Sequence, residues 1–197
     1  MSSKVKKKIL KLKESSTLVI NEKSKELISE GKKVYQFGFG QSPFPVPEKI
    51  VEALKNNAHR KEYLPIQGLP ELRDNISNYL YKRTGNDYPK ENILITPGSK
   101  EAMLLIHIAF NGEIIIPAPG WVSYEPQAEI GSNRVHWLET TRENNWFPTG
   151  KELEKKLKSV GKNKNLILIL NSPNNPSGAV CENLKELAKI AKKYKIM

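Results

Sequence analysis

Asn165-Leu166-Ile167-Leu168-Ile169-Leu170 runs directly into Asn171-Ser172-Pro173-Asn174-Asn175-Pro176-Ser177-Gly178. The first six residues have the length and Ile/Leu content of a buried strand. Two prolines then fix φ and remove two backbone donors, and Gly178 permits the turn. From Asn183 to Lys195 the apolar residues recur with helical periodicity. A strand therefore ends in a stiff polar loop, and a helix carries the chain away. In an open α/β sheet, ligands bind in the crevice beyond the carboxyl ends of the strands. The loop presents asparagine amides at such a place, and the amide of Asn175 offers both a donor and an acceptor.

The segments upstream repeat this strand–turn–helix grammar. Asn92-Ile93-Leu94-Ile95-Thr96 is predicted as a strand, Pro97-Gly98-Ser99-Lys100 as a turn, and Glu101 to Phe110 as an apolar helix. A turn of this kind is an anion site by physics. Free N–H groups at the helix start and the aligned peptide dipoles favour negative charge there. Ser99 adds a hydroxyl donor and Lys100 a charge. The nucleotide-binding pattern Gly-x-x-x-x-Gly-Lys-Ser/Thr is absent from the sequence. Glu113 to Pro117 is the next strand and delivers Ala118-Pro119-Gly120-Trp121, where Trp121 is either a core residue or a flat platform. Asn133 to Leu138 is a further strand. Asn144 to Phe147 reads as a loop or edge hairpin, and Thr149 caps a helix over Lys151 to Lys158. Ile196-Met197 has the look of another strand's first residues.

Nearer the N-terminus, residues 4–13 are rich in lysine and read as a frayed arm or short helix. Asn21 to Gly31 is predicted as an amphipathic helix and Val34 to Phe37 as a short strand. Gly38-Phe39-Gly40-Gln41-Ser42-Pro43 then turns sharply, with glycines that let the backbone approach a ligand closely. Pro47 to Asn56 and Pro70 to Thr84 are predicted helices, the second closed by Gly85. Between them lies Tyr63-Leu64-Pro65-Ile66-Gln67-Gly68-Leu69-Pro70-Glu71-Leu72-Arg73.

Composition bounds the rest. The 197 residues are 38% hydrophobic and 27% charged, with one cysteine, Cys181. No disulfide framework or cysteine-rich metal site is possible, which fits a reducing compartment, the cytoplasm. No apolar run approaches the roughly 18 residues of a membrane helix, and no apolar leader with a cleavage site follows the basic start. The histidines, His59, His107 and His136, lack metal-ligand spacing. His107 sits inside an apolar helix and reads as a core residue. The net charge of +11 raises nucleic-acid binding, but the excess is lysine, 27 against 5 arginines, much of it interleaved with glutamate as on solvated helix faces.

Taken together, the Gly38–Pro47 turn, the Tyr63–Arg73 segment, the Gly98-Ser99-Lys100 turn, the Trp121 loop and the Asn171–Gly178 loop resemble class I/II pyridoxal-phosphate aminotransferases, in that family's order. The resemblance covers roughly Val34 to Met197. It departs from the family at Gln41 and Ser42, where an acidic residue and a proline are usual. The resemblance implies an α/β fold: a three-layer large domain with a mainly parallel sheet, of which this chain is the N-terminal part. Residues 1–45 would form an arm and small-domain segment and residues 46–197 the start of the cofactor-binding domain.

The same resemblance implies an enzyme that moves an amino group between an amino acid and a 2-oxo acid by means of pyridoxal phosphate. Gly98, Ser99 and Lys100 would hold the cofactor phosphate, Trp121 would stack on its ring, and Asn175 would donate to its phenolic oxygen. Gly40 through its backbone N–H, together with Trp121 and Asn175, would meet the substrate. Tyr63 would reach the phosphate in a neighbouring subunit, which implies a homodimer, with neither nucleic acid nor membrane as partner. The family's Schiff-base lysine, its pyridine-pairing aspartate and its carboxylate-clamping arginine are expected beyond Met197. Neither Lys4 nor Lys100 takes the lysine's place by order, so residues 1–197 alone are expected to be inactive and marginally stable. Two other readings compete: a non-catalytic remnant that binds phosphate or the cofactor weakly, and a basic nucleic-acid-associated domain.

Overall fold

The computed structural model describes residues 4–12, 14–38, 40, 42–161 and 163–197. The chain forms two compact units, Thr17–Ser99 and Met1–Ser16 with Lys100–Met197. No helix among the described residues is long and apolar enough to cross a membrane.

The second of these units is an α/β sandwich. Strands β1 (Glu113–Ala118), β2 (Val135–Glu139) and β3 (Leu166–Leu168) form a parallel sheet in the order β2-β1-β3. Ile115 stands opposite His136 on one side and Leu168 on the other. Parallel neighbours need crossovers, and helices α6 (Tyr124–Gly131) and α7 (Gly150–Val160) supply them. Side chains alternate across a strand, and the central strand shows this directly. Ile115 joins Leu138, Leu153, Leu157, Val160, Leu166 and Leu187 on one face. Ile114 and Ile116 join Tyr124, Ala128 and Ile167 on the other. Helices α7 and α8 (Leu184–Tyr194) thus cover the first face, while α6 and Met103 of α5 (Ser99–Ala109) cover the second. With both faces covered, β1 is apolar without alternation, as buried parallel strands are.

Local chemistry sets the helix ends. Thr149 caps α7 in a full capping box: its hydroxyl accepts from Glu152 N at 3.3 Å, and Glu152 Oε2 accepts from Thr149 N at 2.7 Å. Leu153, Leu157 and Val160 then fall on one stripe. Asn183 stands at the N-cap position of α8, and Lys195 ends it in the left-handed region at φ 53°. Met197 donates to Leu166 O at 3.0 Å and accepts from Leu168 N at 2.7 Å. This is the parallel pairing pattern, so the expected strand start at Ile196-Met197 lies on the free edge of β3.

The Thr17–Ser99 unit is helical. After the short α1 (Lys7–Leu10) of the N-terminal segment, helices α2 (Ser16–Ser29), α3 (Glu48–Asn57) and α4 (Pro70–Thr84) follow in turn, with Ser16, the first residue of α2, counted in the other unit. Helix α4 has the predicted bounds, with Pro70 in its first turn and Gly85 at φ 72° closing it. Arg73 is its buried residue and donates from Nε (3.0 Å) and Nη2 (2.7 Å) to Lys90 O.

Several expectations are corrected. Helix α2 starts at Ser16, five residues before the predicted start, because the Ser15-Ser16-Thr17 segment is already helical from its second residue. Val34–Phe37 and Asn92–Thr96 are not strands. The first has no ladder partner among the described residues. The second begins as a single 3₁₀ turn over Lys90–Asn92, and Ile95 N bonds Gln67 O at 3.0 Å instead of a strand. Short apolar runs satisfy a strand pattern without the neighbour that makes a strand. Helix α6 was not anticipated, because Pro126 lies in it; the position is in the first turn, where proline is tolerated. Of the two readings for Asn144–Phe147, the loop holds: it is a turn with Asn145 and Trp146 at positive φ.

Candidate functional site

Two loops leave the carboxyl ends of adjacent parallel strands. After β1 the chain makes Pro119-Gly120-Trp121; after β3 it makes the Asn171–Gly178 loop. Gly120 lies close over the strand it follows, since an added Cβ would stand 3.0 Å from Ile116 Cγ2 and 3.1 Å from Pro117 O. Trp121 is half-buried and meets the buried Tyr124 edge-on, with centroids 5.5 Å apart at 84°. Its outer surface carries Lys100, whose Nζ lies 5.3 Å from the indole centroid. Lys100 is itself held from behind: its carbonyl accepts from Gln127 Nε2 at 2.7 Å. The structure therefore brings together two of the residues read from the sequence, Lys100 and Trp121. The indole of Trp137 points elsewhere and donates to Glu125 Oε1 at 2.9 Å.

In the second loop, Asn175 N donates to Asn171 Oδ1 at 2.8 Å, while the Asn175 side chain is exposed and makes no hydrogen bond among the described residues. Asn174 behaves in the opposite way. Its Nδ2 donates to Pro119 O at 3.0 Å and to Ser177 Oγ at 2.9 Å, which ties this loop to the Trp121 loop. A void of only about 10 Å³ remains between Gly120, Tyr124, Trp146, Ile169, Asn171 and Asn174. Asn174, Asn171 and Trp146 were not singled out from the sequence. The repeated Asn of the loop was the available signal, but nothing in it told which amide faces inward.

The turn before α5 is continuous chain. Gly98 has φ 110°, a conformation that favours glycine, and its carbonyl accepts from Thr96 Oγ1 at 3.1 Å. Ser99 is the first residue of α5, so the unpaired N–H groups of the first turn open onto solvent beside the exposed Ser99 and Lys100. Tyr63 and Gly40 belong to the Thr17–Ser99 unit, and both are exposed. Gly40 has open space at its Cβ position.

Two titratable groups lie off these loops. His107 is buried in α5, and burial pushes its pKa below the ordinary 6.5 despite the opposing effect of the Asn133 side chain. At the start of β1, Glu113 pairs with His136 and, at 2.7 Å, with Lys164. Burial alone would raise its pKa, but the hydrogen bonds and charges of Lys164 and His136 outweigh it and hold the carboxyl below the ordinary 4.5. No group of three or more histidine, cysteine or acidic side chains suited to a metal ion exists among the described residues.

Trp121 and the free amide of Asn175 thus lie on loops at the carboxyl ends of adjacent parallel strands, with Lys100 of α5 over the indole, which is where open α/β sheets place their ligands. The family model for aminotransferase class I and II matches residues 32–197, and the chain belongs to that family. It is 34% identical over 196 residues to an aspartate aminotransferase of Thermotoga maritima, covering 96% of this chain and 51% of the relative. It is 32% identical to an asparagine–oxo-acid transaminase of Streptococcus mutans, covering 95% and 48%. Among solved structures it is similar to the aspartate aminotransferase from Thermus thermophilus with maleate, at a TM-score of 0.88 and 28% identity, over 98% of this chain and 52% of that one. The chain spans about half the length of the relatives it matches.

Proposed function

We propose that this chain is part of an aminotransferase that moves an amino group between an amino acid and a 2-oxo acid, and that residues 98–175 carry the cofactor-holding side of its site. The cofactor is pyridoxal phosphate, which supplies the electron sink for the chemistry at the amino-bearing carbon. The observation that supports this reading is the pairing of Lys100 over the half-buried Trp121 with the unengaged amide of Asn175, on loops joined at 3.0 Å. A flat ring bearing a phosphate and a phenolic oxygen fits these groups: an indole face, a cation, a helix start with a serine hydroxyl, and an amide donor.

In this reading Gly98, Ser99 and Lys100 bind the phosphate. The N–H groups at the start of α5 and the Ser99 hydroxyl donate, and the Lys100 ammonium offsets charge. Trp121 covers one face of the ring and excludes water from it. Asn175 donates its amide N–H to the phenolic oxygen and helps seat the substrate carboxylate, which Gly40 N–H also meets. Tyr63 serves the phosphate of a neighbouring subunit in a homodimer. Residues 1–45 are the arm and small-domain segment, and residues 46–197 begin the cofactor-binding domain. No lysine of residues 1–197 takes the Schiff-base role by its order in the sequence, so in this reading these residues by themselves hold the cofactor non-covalently and do not turn over. The protein works in the cytoplasm, without nucleic acid or membrane as partner.

The test is equilibrium binding of pyridoxamine phosphate, which lacks the aldehyde and so does not react with the 27 lysines. Saturable quenching of tryptophan fluorescence is expected, competed by inorganic phosphate and weakened by Trp121→Leu and Asn175→Ala. Each loss is expected at roughly tenfold, the effect of about 1.4 kcal/mol. No saturable binding, or equal affinity in both variants, would contradict the reading.

A further inference from the structure

Asn174 and Asn175 are the same residue type side by side, yet the structure engages them in opposite ways. Every polar group of Asn174 that can donate is occupied. Nδ2 gives one proton to Pro119 O (3.0 Å) and one to Ser177 Oγ (2.9 Å), and the backbone N gives its own to Ala179 O (2.8 Å). Its carbonyl accepts from Gly178 N at 2.7 Å. Asn175 is held only through its backbone, by Asn171 Oδ1 at 2.8 Å, and its amide projects free. We infer that Asn174 is a positioning residue, setting the distance between the Asn175 amide and the Trp121 indole; this rests on the cofactor-binding reading above.

The physical case is one of donor count and rigidity. Pro119 lies 55 residues from Asn174 in sequence and two residues before Trp121, so this one contact joins the two loops where their ligand-facing groups begin. The task needs two N–H protons on one nitrogen at the end of a short side chain. Asparagine supplies that; aspartate has no such donor, and a serine hydroxyl has only one proton and is shorter. The Trp121 loop cannot settle lower, because Gly120 already approaches Ile116 closely. The void of about 10 Å³ beside Asn174 is at or below the size of one water, so no water has room on that side to take over a lost Asn174 bond. Ligand positioning tolerates little misplacement. A shift of the Pro119 loop would therefore move the aromatic platform relative to the amide donor without touching either residue.

The experiment compares the unmodified chain with Asn174→Asp, Asn174→Ser and Asn171→Ala by two-dimensional 15N–1H NMR without ligand, then by pyridoxamine phosphate titration. The Trp121 indole signal, assigned by Trp121→Phe, and the Asn175 side-chain amide signal are expected to shift together in both Asn174 variants. The Trp137 indole, held by Glu125, is the internal control and is expected to stay. Asn171→Ala is expected to move the Asn175 signal and leave Trp121 in place. Affinity for pyridoxamine phosphate is expected to fall roughly three- to tenfold in the Asn174 variants, the effect of losing one hydrogen bond. Unmoved Trp121 and Asn175 signals, a Trp137 shift as large as that of Trp121, or loss of the folded spectrum in both Asn174 variants would each overturn the positioning role. Should the unmodified chain fail to bind pyridoxamine phosphate, the cofactor reading falls, while the ligand-free spectra still decide whether Asn174 couples the two loops.

Discussion

Residues 100–197 and residues 17–99 are of similar length and bury very different things. The first stretch closes a parallel sheet between two helical layers, with Ile114, Ile115, Ile116, Ala128 and Leu153 fully buried. The second buries, among its described residues, only Arg73, and leaves Phe37, Tyr63 and Ile66 more than nine-tenths exposed. Sheet and crossover helices supply their own cover. Helices α3 and α4, with the loops around them, leave apolar side chains that soluble surfaces do not ordinarily carry in such number. The proposed homodimer, to which Tyr63 would contribute, is one cover of the right character. The difference shows which stretch of this chain buries its own apolar side chains and which leaves them exposed.

The sharpest way to break that contrast is truncation of one large side chain in each stretch. Ile115→Ala and Leu153→Ala are expected to cost about 2–5 kcal/mol each. Ile66→Ala is expected to stay within about 0.5 kcal/mol. Urea denaturation of each variant reads this, and equal costs would mean the exposed stretch is packed after all.

Glycine positions sharpen the picture, because both stretches contain glycines with no room for a Cβ. Gly131→Ala would set a Cβ 2.5 Å from His107 O, and Gly68→Ala would set one 2.5 Å from Ile95 Cβ at φ 99°. Both are expected to cost about 1–3 kcal/mol by overpacking. A large cost at Gly68 alone, with none at Gly131, would reverse the ranking of the two stretches. A smaller effect belongs to the cap of α7: Thr149→Ala is expected to lose about 1 kcal/mol, seen as a lowered urea midpoint with unchanged slope.

The smallest expected effects are in acid, and both belong to the sheet-bearing stretch. His107 has a lowered pKa in the folded chain, so the unfolded chain takes up its proton first, and stability falls as pH drops below about 6.5. Glu113 also has a lowered folded pKa. Its contribution is present above 4.5 and is lost as pH falls from there through the lower folded value. His107→Leu is expected to flatten the upper part of the stability–pH curve and Glu113→Gln the lower part. Unchanged curves in both variants would contradict these assignments.

Much of this architecture was legible in the residues. The Ile/Leu runs at 113–117 and 165–170 located two strands, the second of them shorter than its run, and the caps at Thr149 and Gly85 marked helix ends, since burial and capping are local demands. Val34–Phe37 and Asn92–Thr96 carry the same apolar signal and are not strands, because a strand also needs a neighbour that no local pattern encodes. Helix α6 was hidden behind Pro126, whose tolerance depends on its place in the first turn. At the proposed site, Lys100, Trp121 and Asn175 can each be singled out from the sequence one at a time. Their connection cannot: it runs through Asn174 to a carbonyl 55 residues away, and sequence does not say which of two adjacent asparagines faces inward.

The central proposal is that the loops after β1 and β3, with Lys100 at the start of α5, form one cofactor-holding surface. Chemical-shift mapping of pyridoxamine phosphate on the 15N-labelled chain tests it most directly. The account predicts that the Trp121 indole, the Asn175 amide and the N–H signals of Gly98, Ser99 and Lys100 move on a single saturation curve. Shifts confined to the lysine-rich surfaces of α7 and α8, with those five signals unmoved, would contradict it.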